Sequence, residues 1–474
     1  MPTITFNQWD FGLDLRKGPS TSDANRLRML KNAYVTSGKT IRKRNGFTRI
    51  ATLPPGTQGL FAGLGKLNTF QVHDTPGPDV ALGGIFQNNI LTKPSLATDG
   101  TLARVMAVEV FGGALYVAAE HIWYPGTNAF VHHYTDVAHD APAPGTQVNG
   151  APAVASIAKA SSKIYSADGD VVKYCATNTP RDWTTPDDAG FLPVGLQQSG
   201  NKESVTCGNY QNRLVVYFPD SSQVWAVDPD PANNQFETAI DIGTRHLYAH
   251  QNMANDVFFL SPAGVRTITR QANTESLIDS DVGSPIDSEL LKGALMDLDG
   301  AKGQYVRSTG QYWLYSGTKA VVFTFSRSSK ISAWSVYEFP FPLDYVDELD
   351  AQLYVRSGDD VYRMDRDVWS DGGVLFDVEI ESAYLDFKVP GVLKQIGAMD
   401  AVTSGTADFS HRYDPRIPEL ETAPPVTITG DTRPGNRYPV ELMTTNLCTV
   451  VRNRDDAEFE LHSISYEYFP LGPV

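Results

Sequence analysis

Tyr312-Trp313-Leu314-Tyr315, a turn at Ser316-Gly317, and then Val321-Val322-Phe323-Thr324-Phe325 decide the fold. Two short runs of aromatic and β-branched residues flank a glycine turn, which is the composition of a β-hairpin. The unit recurs along the chain. Ala114-Leu115-Tyr116-Val117 is followed by Ile122-Trp123-Tyr124, and Lys163-Ile164-Tyr165 by Val171-Val172-Lys173-Tyr174. Arg213-Leu214-Val215-Val216-Tyr217 precedes Val224-Trp225-Ala226-Val227, and Val257-Phe258-Phe259-Leu260 precedes Val265-Arg266-Thr267-Ile268. Leu353-Tyr354-Val355 with Val361-Tyr362-Arg363-Met364 is the last pair. Asp168-Gly169-Asp170, Pro262-Ala263-Gly264 and Ser357-Gly358-Asp359 supply turns.

First strands begin near residues 115, 164, 214, 258, 313 and 353, at intervals of 40 to 55 residues. Four strands of about five residues with their turns fill such an interval, which is one propeller blade. A poorer unit lies at 58–92, around Leu67-Asn68-Thr69-Phe70. The spacing therefore predicts an all-β chain with a six- or seven-bladed β-propeller over 58–372, in preference to a β-sandwich or two small barrels. After 373 the spacing breaks. Strands are expected at 378–387, 394–402, 407–411, 447–451 and 460–469, with a proline-rich loop at 415–425. Residues 373–474 read as a C-terminal β-sandwich-like domain. Residues 1–57 read as a strand-helix-strand docking segment. Leu27, Leu30 and Tyr34 fall on one helical face after a Ser22 or Asp23 cap, and Thr40-Ile41-Arg42-Lys43-Arg44 is the following strand.

Composition narrows the function. The 474 residues are 41% hydrophobic and 20% charged, ordinary for a globular chain. No apolar run of about 18 residues occurs, so membrane insertion is not expected. Neither a basic leader nor an apolar core of a secretory signal opens the chain. Cys175, Cys207 and Cys448 are odd in number and far apart, the pattern of buried free thiols. The net charge is −16 but uneven. Residues 1–50 hold ten basic against three acidic residues, or +7, and the remainder holds 29 against 52, or −23. An acidic bulk disfavours tight binding to phosphate backbones. The basic segment is the expected contact to a partner, with Arg26, Arg28, Lys31, Tyr34, Arg42, Lys43 and Arg44 as its candidates. Removing residues 1–50 is expected to leave a folded propeller.

Motifs of catalysis are sparse. Ser166-Ala167-Asp168-Gly169-Asp170 only approximates the sialidase Asp-box, and its glycine comes one place early. A nucleophile elbow, a P-loop and a His-Glu-x-x-His zinc motif are all missing from the sequence. His132, His133 and His139 read as a surface cluster rather than a metal site. Asp228-Pro229-Asp230 and Asp297-Leu298-Asp299-Gly300 read as solvated turns. The strand aromatics read as core filling. On these grounds the chain is expected to be no enzyme, with no cofactor and no metal.

The N-terminal block resembles a known opening. Phe11-Gly12-Leu13-Asp14-Leu15, then Leu30-Lys31-Asn32-Ala33-Tyr34, then Ile41-Arg42-Lys43-Arg44-Asn45-Gly46 are similar to the start of tail nozzle (tail tubular B-like) proteins of short-tailed bacteriophages. Gly264-Val265-Arg266-Thr267-Ile268 and Ser463-Ile464-Ser465-Tyr466-Glu467-Tyr468-Phe469-Pro470 extend the likeness. The layout also resembles packaged-DNA stabilisation proteins. The resemblance implies a structural virion protein of the tail, assembled in the host cytoplasm. It implies a homohexameric ring below the portal and adaptor, next to tail fibre or spike proteins, that passes double-stranded DNA without holding it. The alternative is a propeller that binds or cleaves host-surface polysaccharide.

Overall fold

The computed structural model describes residues 2–73, 84–94, 101–123, 127–135, 145–200, 202–253, 256–270, 277–432 and 435–473. Among these the chain is almost entirely β, in many small sheets, and its one α-helix is Asp287–Leu291. No helix is long and apolar enough to cross a membrane.

Seven strand groups follow one another along the chain. The first is Gln58–Gly63, Lys66–His73 and Phe86–Thr92, the last two parallel. Four antiparallel sheets of four strands come next. They open on Thr101–Phe111, Ala158–Ala160, Thr206–Tyr210 and His250–Met253. The sixth group runs from Lys302–Val306 to Ile331–Glu338. The seventh is Tyr345–Leu349, Gln352–Ser357 and Asp360–Asp365, and its fourth strand is Gly46–Thr52 from the N-terminal segment. The second strands are the most buried: Lys163–Asp168 and Gln311–Ser316 are covered on both faces over most of their length. A strand covered on both faces reads as a continuous apolar run rather than an alternation, which is why these hairpins stand out in the sequence.

Neighbouring groups share apolar cores. Phe70 of the first meets Leu115 and Val117 of the second, and Tyr116 of the second meets Ile164 of the third. Tyr165 and Val216 join the third to the fourth, Tyr217 and Phe259 the fourth to the fifth, and Phe258 and Tyr312 the fifth to the sixth. Trp313 and Val355 join the sixth to the seventh, and Leu349 and Tyr354 meet Leu60 and Leu67 of the first. The opening strands likewise neighbour one another in order, and Tyr345–Leu349 lies against Gln58–Gly63.

The sixth group continues into a nine-stranded sheet. Leu27–Lys31 sits beside Ile331–Glu338 and pairs on its other edge with Val378–Ser382, followed by Cys448–Asn453, Thr406–Arg412 and Val426–Thr429. A second sheet, built on Val392–Ser404 and Glu460–Pro473, shares one apolar core with it through Ile380, Val451, Ile396, Leu461 and Tyr466.

Two expectations about the N-terminus are corrected here. Residues 24–30 form no helix, and Leu27–Lys31 is a strand. A register shift between Leu27 and Met29 puts both Leu27 and Leu30 into the core. A bulge inserts one residue into the strand period of two, so the three-residue spacing imitates a helix. Nor is 1–57 a detachable segment, because Gly46–Thr52 completes the seventh sheet.

Arg44 anchors this arrangement. Its guanidinium is buried and donates to both Asp371 carboxylate oxygens and to the Glu338 carbonyl. The Phe376 ring lies 3.8 Å from it. Its Nε donates to Asn32 Oδ1 at 3.0 Å, which also accepts from Glu338 N at 2.9 Å. Asn32 Nδ2 reaches the Asp377 carbonyl at 2.8 Å. Removing one member leaves a buried charge uncompensated, which costs about 3–5 kcal/mol. Arg44→Ala and Asp371→Ala are each expected to lower unfolding stability by about that amount in urea denaturation. Deleting residues 1–57 is expected to give insoluble protein, which expression and sedimentation check.

Candidate functional site: a cavity with two polar ends

The opening strands differ from the hairpins in being polar. Thr101–Phe111 carries Arg104 and Glu109, Lys302–Val306 carries Lys302 and Gln304, and Tyr345–Leu349 carries Asp347 and Glu348. These strands line a cavity of about 700 Å³. Residues at the strand starts, Gln58, Arg104, Lys302 and Tyr345, also border a space of about 450 Å³. Glu109, Asn209 and Asn252, at the strand finishes, border another of about 790 Å³. The cavity thus has a basic end, where Arg104, Lys302 and Arg356 outnumber Asp344 and Asp359, and a second end where Glu109 lies with Lys159.

Glu109 is half-buried in the wall. Its Oε1 accepts weakly from the Lys159 backbone N at 3.4 Å, while the Lys159 ammonium turns away to the Val110 carbonyl at 2.8 Å. Burial pushes the Glu109 carboxyl up to about 7. Asp347 Oδ2 accepts from Ala62 N at 2.7 Å, and its Oδ1 from Glu348 N at 2.8 Å and Gln304 Nε2 at 3.3 Å. Burial still raises it to about 6, against those bonds. Among the described residues neither carboxylate makes an ion pair. Two carboxyls held near neutrality on one cavity wall are equipped for proton transfer.

At the basic end, Arg104 Nε donates to Glu120 Oε2 at 2.6 Å. Lys302 Nζ donates to the Asp344 carbonyl at 2.6 Å and sits 4.5 Å from the Tyr345 ring centre. Burial lowers the Lys302 ammonium and raises the Tyr248 phenol. The Tyr248 hydroxyl is buried and has no hydrogen-bond partner among the described residues.

All seven residues expected at a partner surface are engaged within the chain. Arg26 pairs with Asp14 and Asp23, Lys31 with Glu338, and Arg42 with Glu458 at 2.7 Å. Arg28 lies 4.0 Å from Glu381, and burial raises the Tyr34 phenol. Lys43 is buried, bonded to Asn453 Oδ1 at 2.9 Å and lowered to about 8. For Lys43 and Arg44 the docking role is corrected, since neither side chain reaches the surface. The histidine cluster is corrected too. His132 and His133 are buried, bonded to Tyr116 and His121, and His139 lies outside the described residues. Among the described residues no three metal-ligating side chains gather. The three cysteines are buried free thiols.

Glu109 gives the fold a pH signature. A carboxyl whose folded pKa is raised stabilises the protein fully below its unfolded value of 4.5, and that contribution is lost as pH rises through about 7. The melting temperature is expected to fall across this window, and Glu109→Gln to flatten the fall, as calorimetry at stepped pH will read.

No protein-family model and no curated protein matches the chain. Among solved structures, the exo-beta-1,3-galactanase from Phanerochaete chrysosporium, crystallised with beta-1,3-galactotriose, is similar to it at 10% identity and a TM-score of 0.27. The match covers 76% of this chain and 95% of that one. The expectation of no enzyme is set aside beside this match, which at such a degree assigns the chain neither fold nor activity.

Proposed function

We propose that the seven strand groups are the blades of a β-propeller and that its axial cavity takes and cleaves a carbohydrate. The propeller reading is supported by the seven shared cores and by the contact that returns Tyr345–Leu349 to Gln58–Gly63. The observation that carries the activity is the pair Glu109 and Asp347 on the cavity wall, both raised toward neutrality. Glu109, half protonated near pH 7, donates its proton to the glycosidic oxygen as the bond to the leaving sugar breaks. Water adds to the anomeric carbon, and the ionised Asp347 takes the proton that water releases. Tyr345, Gln304 and Asn252 supply a ring face and amides for sugar hydroxyls. With a panel of bacterial surface polysaccharides, the protein is expected to release reducing ends at a rate that falls as pH rises through about 7. Glu109→Gln is expected to lower that rate at least about a hundredfold. A folded protein that neither binds nor cleaves any member of the panel overturns the reading.

A second reading is the tail-nozzle role, and one observation favours it. The residues that carry the resemblance sit in the framework. Gly12, at φ 53, bridges Trp334, whose carbonyl oxygen would lie 2.7 Å from any added Cβ. Asn32 and Arg44 form the buried junction, and Gly46 has no room for a side chain beside Ser370. On this reading the chain forms a hexameric ring in the phage tail, below portal and adaptor. Negative-stain images of the purified protein are expected to show rings, and a monomer at micromolar concentration counts against it.

A further inference from the structure

Resting on the carbohydrate reading, we propose that Lys302, Tyr248 and Arg104 form a subsite for the carboxylate of an acidic sugar, a uronic acid, at the basic end of the axial cavity. Three observations converge on it. Lys302 has three N–H donors, and its one side-chain hydrogen bond among the described residues goes to a backbone carbonyl. Among the described residues no carboxylate pairs with it. Tyr248 lines the same cavity, and its hydroxyl is buried with no hydrogen-bond partner among the described residues. Buried polar groups are nearly always bonded, so an orphan at a cavity wall marks a place where a ligand atom fits. Arg104 uses Nε on Glu120 and keeps its side chain 61% exposed.

Of the neighbouring acids, Glu120 pairs with Arg104, while neither Asp344 nor Asp359 forms an ion pair with Lys302. Glu120 is held by Arg104 and by Asn128 Nδ2 at 2.7 Å. Asp344 Oδ2 accepts from Gly358 N at 2.7 Å, and Asp359 lies 3.7 Å from Arg356 and is half exposed. Arg356 is itself buried, with donors to the Gly59, Thr57 and Gly358 carbonyls. A neutral sugar hydroxyl asks for one donor or acceptor and no charge. A carboxylate has two oxygens and up to four acceptor sites, enough to take an ammonium proton, a phenol proton and a guanidinium proton together. The Tyr345 ring beside Lys302 offers an apolar face to the sugar that bears the carboxylate.

The test is calorimetric titration of the full chain with tri-galacturonate, with neutral galactotriose, and with inorganic phosphate. Tri-galacturonate is expected to bind about tenfold or more tightly than galactotriose, the gain typical of a charge-assisted contact. Lys302→Gln and Tyr248→Phe are each expected to shrink that ratio severalfold, and Lys302→Arg to keep most of it. Circular dichroism and melting curves identify any variant that fails to fold. Equal affinity for the two trisaccharides overturns the subsite and leaves the carbohydrate reading standing. Phosphate binding as tightly as tri-galacturonate also overturns it, since the end would then select charge without sugar. If neither trisaccharide nor any panel polysaccharide binds, both proposals fall.

Discussion

The buried pair of Arg44 and Asp371 is the constraint on which the architecture turns. Apolar faces alone leave the sheets free to slide over one another, because dispersion and water release have no direction. A desolvated guanidinium has direction. Its forked donors meet both oxygens of Asp371, and its aromatic neighbours leave no water to take over. Through Asn32 the same centre holds Glu338 of the sixth group and Asp377 ahead of the C-terminal strands. One junction therefore fixes the N-terminal segment, the sixth and seventh groups and the C-terminal sheets in a single register. A hydrophobic replacement of equal volume satisfies none of these backbone groups.

That junction explains why the last strand of the seventh sheet comes from the start of the chain. Gly46–Thr52 pairs along Asp360–Asp365, so the first and last parts of the series are hydrogen-bonded to each other. Loop closure over some 300 residues is entropically expensive, and Arg44, two residues before that strand, holds the closure in place. The cavity follows from the same geometry. Opening strands that meet around a common space face water rather than another sheet, so they carry Arg104, Glu109, Lys302 and Asp347, while the second strands, covered by neighbouring sheets, are mostly apolar.

Much of the fold was legible because its signal is local. Each hairpin carries its own turn and two apolar runs, and the repeat spacing needs only counting. The errors came where a distant partner decides. Leu27 and Leu30 spell a helical face until a bulge against Val378–Ser382 accounts for their spacing. Lys43 and Arg44 read as surface charge because charged residues are seldom fully buried, and their partners Asn453 and Asp371 lie more than 300 positions away. His132 and His133 read as a surface cluster, yet they are buried in the strand Thr127–Tyr134. The cavity was the least legible part. Its wall is made of short polar strands, and Glu109 and Asp347 meet the same space from opposite ends of the repeat series. The available clue was that opening strands are less apolar than the hairpin strands, which are dominated by Val, Leu, Phe and Tyr.

Elsewhere in the protein opposite charges are neutralised by contact, as Arg213 is by Glu237 and Arg363 by Asp365. Along the cavity Arg104 keeps that pattern with Glu120, but the other charged groups depart from it. Lys302 spends its bond on a carbonyl, Glu109 and Asp347 accept from amides, and Lys159 turns from Glu109 to a backbone oxygen. Neutral partners orient these groups without cancelling their charge. A network that served only stability gains by pairing Lys159 with Glu109, since a half-buried carboxyl raised to about 7 is destabilising once ionised. The unpaired arrangement is a local cost to the fold, and such costs concentrate where a site is held ready for a ligand.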